Sequence, residues 1–217
     1  MTLESLGWFM VAGVLLNLTP GPDVLYILRH ALRDGARAGV VAALGINAGV
    51  LVHMAAAALG VGALLASSAL AFTLLKWVGA AYLVVMGLRL VLGKASAVEL
   101  PAGRASADAP ARWLAAQVFR QGFLTNALNP KVALFFLAFV PQFIAPGTEH
   151  KALAFIGLGL LFVLNSLWVN IGWAVAAAAL VRRATALQRA LRWMDRVAGS
   201  MFIGFGAKLA LTDNPVA

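Results

Sequence analysis

The sequence predicts an all-α membrane protein with six transmembrane helices in two inverted three-helix repeats, of which the first and fourth helices are broken at proline. Of the 217 residues, 62% are hydrophobic and 12% are charged, whereas about 25% of the residues in an ordinary soluble domain are charged. The apolar residues form six segments that are long enough to cross a hydrocarbon core about 30 Å thick. Two of these segments, at corresponding places in the two halves, contain an Asn, a helix-breaking Pro and a charged residue.

The boundaries of the six predicted spans are clear except between the second and third. There, Gly60, Gly62, Ser67 and Ser68 indicate a short apolar turn with no charged residue to mark it. The fourth and fifth segments exceed one straight crossing of about 20 residues, and a break at Pro130 would explain the length of the fourth. The spans are placed at 6–28, 39–59, 69–92, 113–143, 152–181 and 193–211.

The chain is predicted to form a single transmembrane domain over residues 1–217. A linker at 93–112, rich in small, charged and Pro residues, separates repeat one at 1–92 from repeat two at 113–217. Because each repeat has an odd number of spans, the second repeat is predicted to be inverted in the membrane relative to the first. Sliding one half over the other places Gly13 on Gly122 and Asn17 on Asn126.

Positive charge falls on alternate loops, and Lys and Arg in short loops mark the cytoplasmic side of a membrane. Arginines cluster after the first, third and fifth spans, in the ranges 29–37, 89–120 and 182–196. These connections are therefore predicted to face the cytoplasm, which places both termini on the opposite side.

The two interrupted segments are candidates for a transport site. Proline lacks a backbone N–H and clashes with the carbonyl of residue i−4, so Pro20 is expected to free the carbonyl of Leu16, and Pro130 that of Asn126. Broken backbone at membrane depth is tolerated where it lines a cavity or is buried in protein, and paired breaks indicate a binding site. The candidate substrate-binding residues are Asn17, Thr19, Pro20, Gly21, Pro22 and Asp23 in the first span and Asn126, Asn129, Pro130 and Lys131 in the fourth.

Two interpretations of the charged pair Asp23 and Lys131 remain open. A charge near the middle of a span costs at least about 2.5 to 3.5 kcal/mol on insertion scales and usually has a function. The two residues could form an ion pair that ties the halves together. They could instead contact the ammonium and carboxylate groups of a zwitterionic substrate, with Asp23 also available to carry a coupling proton.

The neutral residues beside the breaks have two expected roles, which are compatible. Asn17, Thr19, Asn126 and Asn129 offer donors and acceptors that can cap freed backbone groups or bind substrate. Gly21, between two prolines, is expected to provide backbone angles that other residues cannot reach.

Several other classes of protein are disfavoured. The net charge of +9 could suggest a nucleic-acid partner, but the basic residues sit between apolar spans, so no nucleic acid is expected. There is no Cys, and His30, His53 and His150 lack metal-ligand spacing, so no metal or cofactor is predicted. No second acid, His pair or Ser-His arrangement stands near Asp23, which disfavours an enzyme.

Three motifs together resemble the LysE/RhtB family of amino-acid exporters of the homoserine, threonine and lysine efflux type. Asn-Leu-Thr-Pro-Gly-Pro at 17–22 is similar to the family's first-span signature, and Lys-Trp-Val-Gly-Ala-Ala-Tyr-Leu at 76–83 to its third-span motif. Phe-Arg-Gln-Gly-Phe-Leu-Thr-Asn-Ala-Leu-Asn-Pro-Lys at 119–131, with Phe-Val-Pro-Gln-Phe at 139–143, is similar to its fourth-span block. The resemblance covers nearly the whole chain. It implies export across the bacterial inner membrane, driven by proton entry, but it does not specify which amino acid is carried.

The sequence therefore predicts a secondary transporter that exports amino acids or small zwitterionic metabolites by proton antiport, with both termini in the periplasm. Asp23 would meet the substrate ammonium or a proton, while Lys131, with Asn17, Asn126 and Asn129, would hold the substrate carboxylate and the unwound backbone. The expected partners are a small-molecule substrate and membrane lipid, and a homodimer is left open. The alternatives are an exporter of a cation or other small solute on a related scaffold, an intramembrane enzyme and a noncatalytic membrane subunit.

Overall fold

The computed structural model describes residues 3–67, 69–92, 111–145, 148–180 and 184–211. Within these ranges the chain is helical and contains no strand, which confirms the predicted all-α fold class. A π-helical segment at Phe135–Phe139 and a 3-10 turn at Val140–Phe143 follow the sixth helix. The α-helices are α1 Leu3–Leu18, α2 Pro22–Asp34, α3 Ala36–Ser67, α4 Ala69–Leu92, α5 Ala111–Ala127, α6 Pro130–Leu134, α7 Lys151–Leu180 and α8 Ala184–Leu211.

Apolar helices occur at all six predicted spans, as single long helices, as bent pairs of helices or as shorter apolar stretches. Two described helical stretches, Ala36–Gly60 in α3 and Lys151–Ala179 in α7, are each long and apolar enough to cross a membrane. Two bent pairs, α1 with α2 and α5 with the elements that follow it, meet the same criteria when each pair is taken as one span. Shorter apolar stretches at Trp77–Arg89 and Gly199–Leu211 lie in the predicted third and sixth spans.

The predicted breaks in the first and fourth spans are confirmed. The chain bends by 55° between α1 and α2, and by 48° between α5 and the segment that begins at Pro130. Pro22 begins α2 and Pro130 begins α6, where the missing N–H costs nothing because the first N–H groups of a helix have no partner within it. Gly21, the residue before α2, has φ −159° and ψ −173°. This is extended backbone open to any residue, so the expectation that Gly21 supplies unusual angles is wrong.

The boundary between the second and third spans differs from the prediction. α3 continues through Gly60 and Gly62 to Ser67, and residue 68 lies outside the described residues. A glycine inside a helix costs about 1 kcal/mol, whereas an unsatisfied backbone group in hydrocarbon costs several kcal/mol. The helix therefore persists where the glycines predicted a turn.

α3 packs against α2, α5 and α7, while α4 packs along α8. Gly49 allows the contact with α5 to be close, because a Cβ there would lie 2.7 Å from the carbonyl oxygen of Phe123 and 2.8 Å from Cβ of Asn126. Gly45, one turn earlier, faces the carbonyl of Phe119 in the same way. The small residues on α3 therefore bring this helix directly against the end of α5, where the fourth span breaks.

The basic connection between the first two spans is a tight turn at Gly35. This residue has φ 88°, a conformation that favours glycine because it has no Cβ. The predicted linker at 93–112 lies almost entirely outside the described residues, as does the 181–183 connection. The division into repeats and the orientation in the membrane remain predictions.

Candidate functional site

The two helix breaks meet at a buried carboxylate. Asp23, in the first turn of α2, accepts hydrogen bonds at Oδ2 from the side-chain amides of Asn126 and Asn129, each at 2.9 Å. Asp23 is 7% exposed, Asn126 1% and Asn129 3%. Three residues that sequence analysis assigned to two separate spans therefore form one polar cluster.

Lys131 binds the unwound backbone of the first span. Its ammonium donates to the carbonyl oxygens of Leu16 at 3.0 Å and Thr19 at 3.2 Å. The Leu16 carbonyl is the one that Pro20 leaves without a helical partner, so the Lys131 ammonium replaces the missing backbone donor. This geometry matches the backbone part of the role expected for Lys131, whereas its contact with a substrate remains a prediction.

The carbonyl that Pro130 frees has two partners. The oxygen of Asn126 accepts from the backbone N–H of Asn129 at 2.8 Å, and Nε2 of His53 on α3 lies 2.8 Å away. Because a carbonyl oxygen only accepts, this contact requires a proton on Nε2 of His53. Sequence analysis did not assign His53 to the site, and the residue reaches it because α3 packs closely on α5.

Asn129 links the start of α6 to Asp23. Its Oδ1 caps α6 by accepting from the backbone N–H of Lys131 at 3.0 Å, and its Nδ2 donates to Asp23. Thr19, which is fully buried, donates through its hydroxyl to the Leu15 carbonyl at 2.6 Å. The expected capping role is therefore observed at Asn129, whereas the Leu15 carbonyl that Thr19 contacts also keeps its helical donor, the backbone N–H of Thr19.

The last turn of α1 is held by a residue that sequence analysis missed. Nε1 of Trp173, on α7, donates to the carbonyl of Asn17 at 3.3 Å, and Trp173 is 7% exposed. Trp and Tyr are enriched at membrane–water interfaces, so a Trp in a predicted span is ordinarily assigned to one of its ends. The position of Trp173 inside the predicted span 152–181, away from both ends, was the available signal for a buried role.

Gly21 lies close to the Lys131 ammonium. A Cβ at this position would lie 3.2 Å from Nζ of Lys131, so a larger side chain would press on the ammonium. Pro20 lies in the bend and Pro22 begins α2. The ten sequence-predicted residues thus lie at or next to the two breaks.

Several buried polar atoms at the breaks lack a hydrogen-bond partner within the described part of the chain. They are Nδ2 of Asn17, Oδ1 of Asp23 and Oδ1 of Asn126. Leaving a buried polar group unsatisfied costs about 1 to 3 kcal/mol, so most such groups in proteins have a partner. The two oxygens can accept from an ammonium, and the amide can donate to a carboxylate.

The electrostatic setting suits a negatively charged group at residue 23. Asp23 lies in the first turn of α2, where the helix dipole places partial positive charge. α6 also begins at the same junction, with Lys131 in its first turn. Among the described residues, no group of three or more His, Cys, Asp or Glu could hold a metal ion.

A family model described as LysE type translocator matches residues 14–213. The chain belongs to the LysE family. It is 34% identical to an uncharacterised membrane protein of Vibrio cholerae over 93% of this chain and 94% of the relative. It is 35% identical to an uncharacterised membrane protein of Pseudomonas aeruginosa, with 94% of each chain covered. A homoserine/homoserine lactone efflux protein of Salmonella typhimurium is 30% identical over 97% of this chain and 98% of the relative. No solved structure matches this sequence.

The family resemblance predicted from the motifs is therefore confirmed, and the protein is a membrane translocator of the LysE type. Translocators of this family act on small molecules in a membrane setting, and the family is not one of enzymes. In this LysE-family chain, the family match begins three residues before Asn17 and includes both helix breaks.

Proposed function

We propose that this LysE-family protein exports amino acids or related small zwitterionic metabolites across the bacterial inner membrane, in exchange for protons, through a site centred on Asp23. Both termini would face the periplasm. Asp23 would bind the substrate's ammonium group, and the polar groups of Asn17 and Lys131 would meet its carboxylate.

The observation that carries this proposal is the environment of the Asp23 carboxylate. Oδ2 is fully engaged by two amides, while Oδ1 is buried without a partner in the described residues. An uncompensated buried charge is costly. A cationic group at Oδ1 would relieve that cost. Asn126, whose amide bonds Asp23, has a second unpartnered acceptor, its own Oδ1.

The name of the Salmonella typhimurium relative supports recognition through an ammonium. Homoserine and homoserine lactone both carry an α-amino group, whereas only homoserine has a free carboxylate. A site that accepts both compounds must rely mainly on the group they share. In this chain, the matching partner for that group is the carboxylate of Asp23.

Competition at one oxygen would couple transport to protons. Oδ1 of Asp23 can hold a proton or receive an ammonium, but not both. A proton that enters from the periplasm would displace the substrate and turn Oδ1 into a donor, for which Oδ1 of Asn126 is an available acceptor. The protonated site would then open again to the cytoplasm and release the proton there. This cycle would exchange one proton for one substrate.

The first experiment is an efflux panel. Cells that express the protein are loaded with radiolabelled L-homoserine or with each proteinogenic L-amino acid, and the rate of loss is compared with that of cells carrying an empty vector. We expect faster loss of at least one amino acid, and acceleration when the external medium is made acidic. If no amino acid leaves faster, and a divalent cation does, the alternative of a cation exporter is favoured instead.

The second experiment tests the site with a matched pair of variants. Asp23→Asn removes the charge but keeps an acceptor for both amides, whereas Asp34→Asn removes a carboxylate at the other end of α2 that contacts His30 and Arg33. We expect Asp23→Asn to reach the membrane in normal amount and to export at the empty-vector rate. Asp34→Asn should keep most of its export. Normal export by Asp23→Asn would refute the site.

A further inference from the structure

A cavity lies away from the Asp23 site, at one end of the helices. Its volume is about 590 Å³, and it opens between α1, the 3-10 turn at Val140–Phe143 and α8. Pockets for small molecules typically measure about 300 to 1,000 Å³, so an amino acid fits. The lining includes one acid, one base and four aromatic side chains: Glu4, Lys208, Trp8, Phe139, Phe143 and Phe205.

The cavity and the Asp23 site are joined by two elements of the fold. α1 carries Leu16, whose carbonyl binds Lys131, and twelve residues earlier it carries Glu4 at the cavity. At 1.5 Å per residue, this separation is roughly 18 Å along the helix axis. The fourth span also connects the two places, from Lys131 at the Asp23 site to Phe143 at the cavity. In the predicted topology, both runs lead toward the periplasmic side.

Packed phenylalanine rings lie along both of these elements, from the cavity toward the Asp23 site. We define the phenyl cluster as Phe9, Phe135, Phe139, Phe143 and Phe205. Ring centroids lie 5.3 Å apart between Phe9 and Phe143, and 5.1 Å apart both between Phe135 and Phe139 and between Phe139 and Phe205. Phe9 is 1% exposed and Phe135 2%. Phe139, Phe143 and Phe205 also line the cavity, whereas Phe9 and Phe135 lie farther along α1 and the fourth span toward Asp23. The cluster therefore makes the region between the cavity and the buried carboxylate apolar.

We propose that this cavity is an exit-side binding site for the transported zwitterion, distinct from the site at Asp23. The inference rests on the proposed function, because it takes the cargo to be an amino acid. The Glu4 carboxylate binds the ammonium, and the Lys208 ammonium binds the carboxylate. The Trp8 and Phe205 rings contact the rest of the molecule, and an aromatic face also attracts a cation. Substrate that passes the phenyl cluster pauses here before release.

Occupancy can be measured without measuring transport. The native chain has no Cys, and Gly204 lines the cavity with nothing within 4 Å of an added Cβ. A Gly204→Cys variant of the full chain, purified in detergent, is labelled with a maleimide in the presence and absence of L-homoserine. When the L-homoserine concentration is about three times its dissociation constant, the site is about three-quarters occupied. The rate of maleimide labelling then falls about fourfold by mass action.

The charge requirement is tested with variants on the same background. Glu4→Gln and Lys208→Gln should each abolish most of the protection, because loss of one charged contact weakens binding roughly tenfold. The control variants Glu149→Gln and Lys151→Gln alter exposed charges near the start of α7 that do not line the cavity, and protection should persist in both. Asp23→Asn should abolish export and leave protection intact.

Four outcomes would overturn the exit site. The first is no labelling at all, which would mean that water does not reach the cavity. The second is labelling that no exported amino acid slows, and the third is protection that survives in both Glu4→Gln and Lys208→Gln. The fourth is protection by phosphatidylglycerol in nanodiscs but not by the amino acid, which would identify a lipid site. Protection without export of any amino acid would instead contradict the proposed function, so the two failures can be told apart.

Discussion

Replacing Lys131 with methionine removes the ammonium while keeping a long, flexible side chain. In the native protein this ammonium satisfies the carbonyls of Leu16 and Thr19, which are freed where α1 ends. Lys131 is 6% exposed, so water cannot easily replace it as a donor. The Lys131→Met protein should therefore keep two buried carbonyls without this donor.

The size of the effect follows from those two acceptors. An orphaned buried acceptor costs about 1 to 3 kcal/mol, so the loss of stability is about 2 to 6 kcal/mol if both stay buried. Asp23→Asn should cost less, because both amide donors keep an acceptor. An ion pair between Asp23 and Lys131 predicts a different order of stability among the variants. Either single change would then strand a charge at a cost of about 3 to 5 kcal/mol, and removing both would restore stability.

The assay measures the apparent melting midpoint of the purified protein in one detergent. The midpoint is the temperature at which heating removes half of the monodisperse peak in size-exclusion chromatography. The variants are Lys131→Met, Asp23→Asn, their combination and Lys151→Met, which removes an exposed Lys at the start of α7 as a control. We expect the Lys131→Met midpoint to fall well below that of Lys151→Met, and the double variant to be no more stable than Lys131→Met. Equal midpoints for Lys131→Met and Lys151→Met, or rescue in the double variant, would refute the reasoning.

Three further predictions follow from the packing and the charge pattern. Trp173→Phe should lower stability by about 0.5 to 1.5 kcal/mol because the Asn17 carbonyl loses its indole donor; an unchanged midpoint would contradict that contact. Gly49→Ala should destabilise the protein strongly because the added methyl meets the α5 backbone. Gly172→Ala, with nothing within 4 Å of the added methyl, is the control and should be tolerated. Equal melting midpoints for these two variants would count against the close α3–α5 contact. A single Cys placed at Ala105 should react with an impermeant maleimide only after the cytoplasmic side is exposed; labelling in intact cells would overturn the predicted orientation.

Sequence predicted the parts of the site that depend on local chemistry. Because proline has no N–H, the pattern identified the carbonyls of Leu16 and Asn126 as acceptors in need of partners. The structure gives each of them a donor from outside the broken turn. The charges and amides beside the breaks were likewise predicted to share one site, since a polar group at membrane depth needs a partner.

The parts that sequence missed depend on contacts between distant segments. His53 bonds Asn126, 73 positions away, and Trp173 bonds Asn17, 156 positions away, and no local pattern specifies such pairs. The prediction for Gly21 is wrong because a glycine between prolines suggests unusual angles, whereas its backbone is extended and lies close to the Lys131 ammonium. The persistence of α3 past Gly60 was missed because turn propensity was given more weight than the need for internal hydrogen bonds in lipid.

The position of the Lys131 ammonium also bears on which ions the protein needs. Carbonyls of an unwound transmembrane helix are the groups that coordinate Na⁺ in many secondary transporters. Here the carbonyls of Leu16 and Thr19 already surround a cation that belongs to the chain. This built-in cation leaves those two oxygens unavailable to a metal ion that must come and go. We therefore expect export to continue at the same rate when external and internal Na⁺ are replaced by choline, and a requirement for Na⁺ would mean that the ammonium leaves these carbonyls during transport.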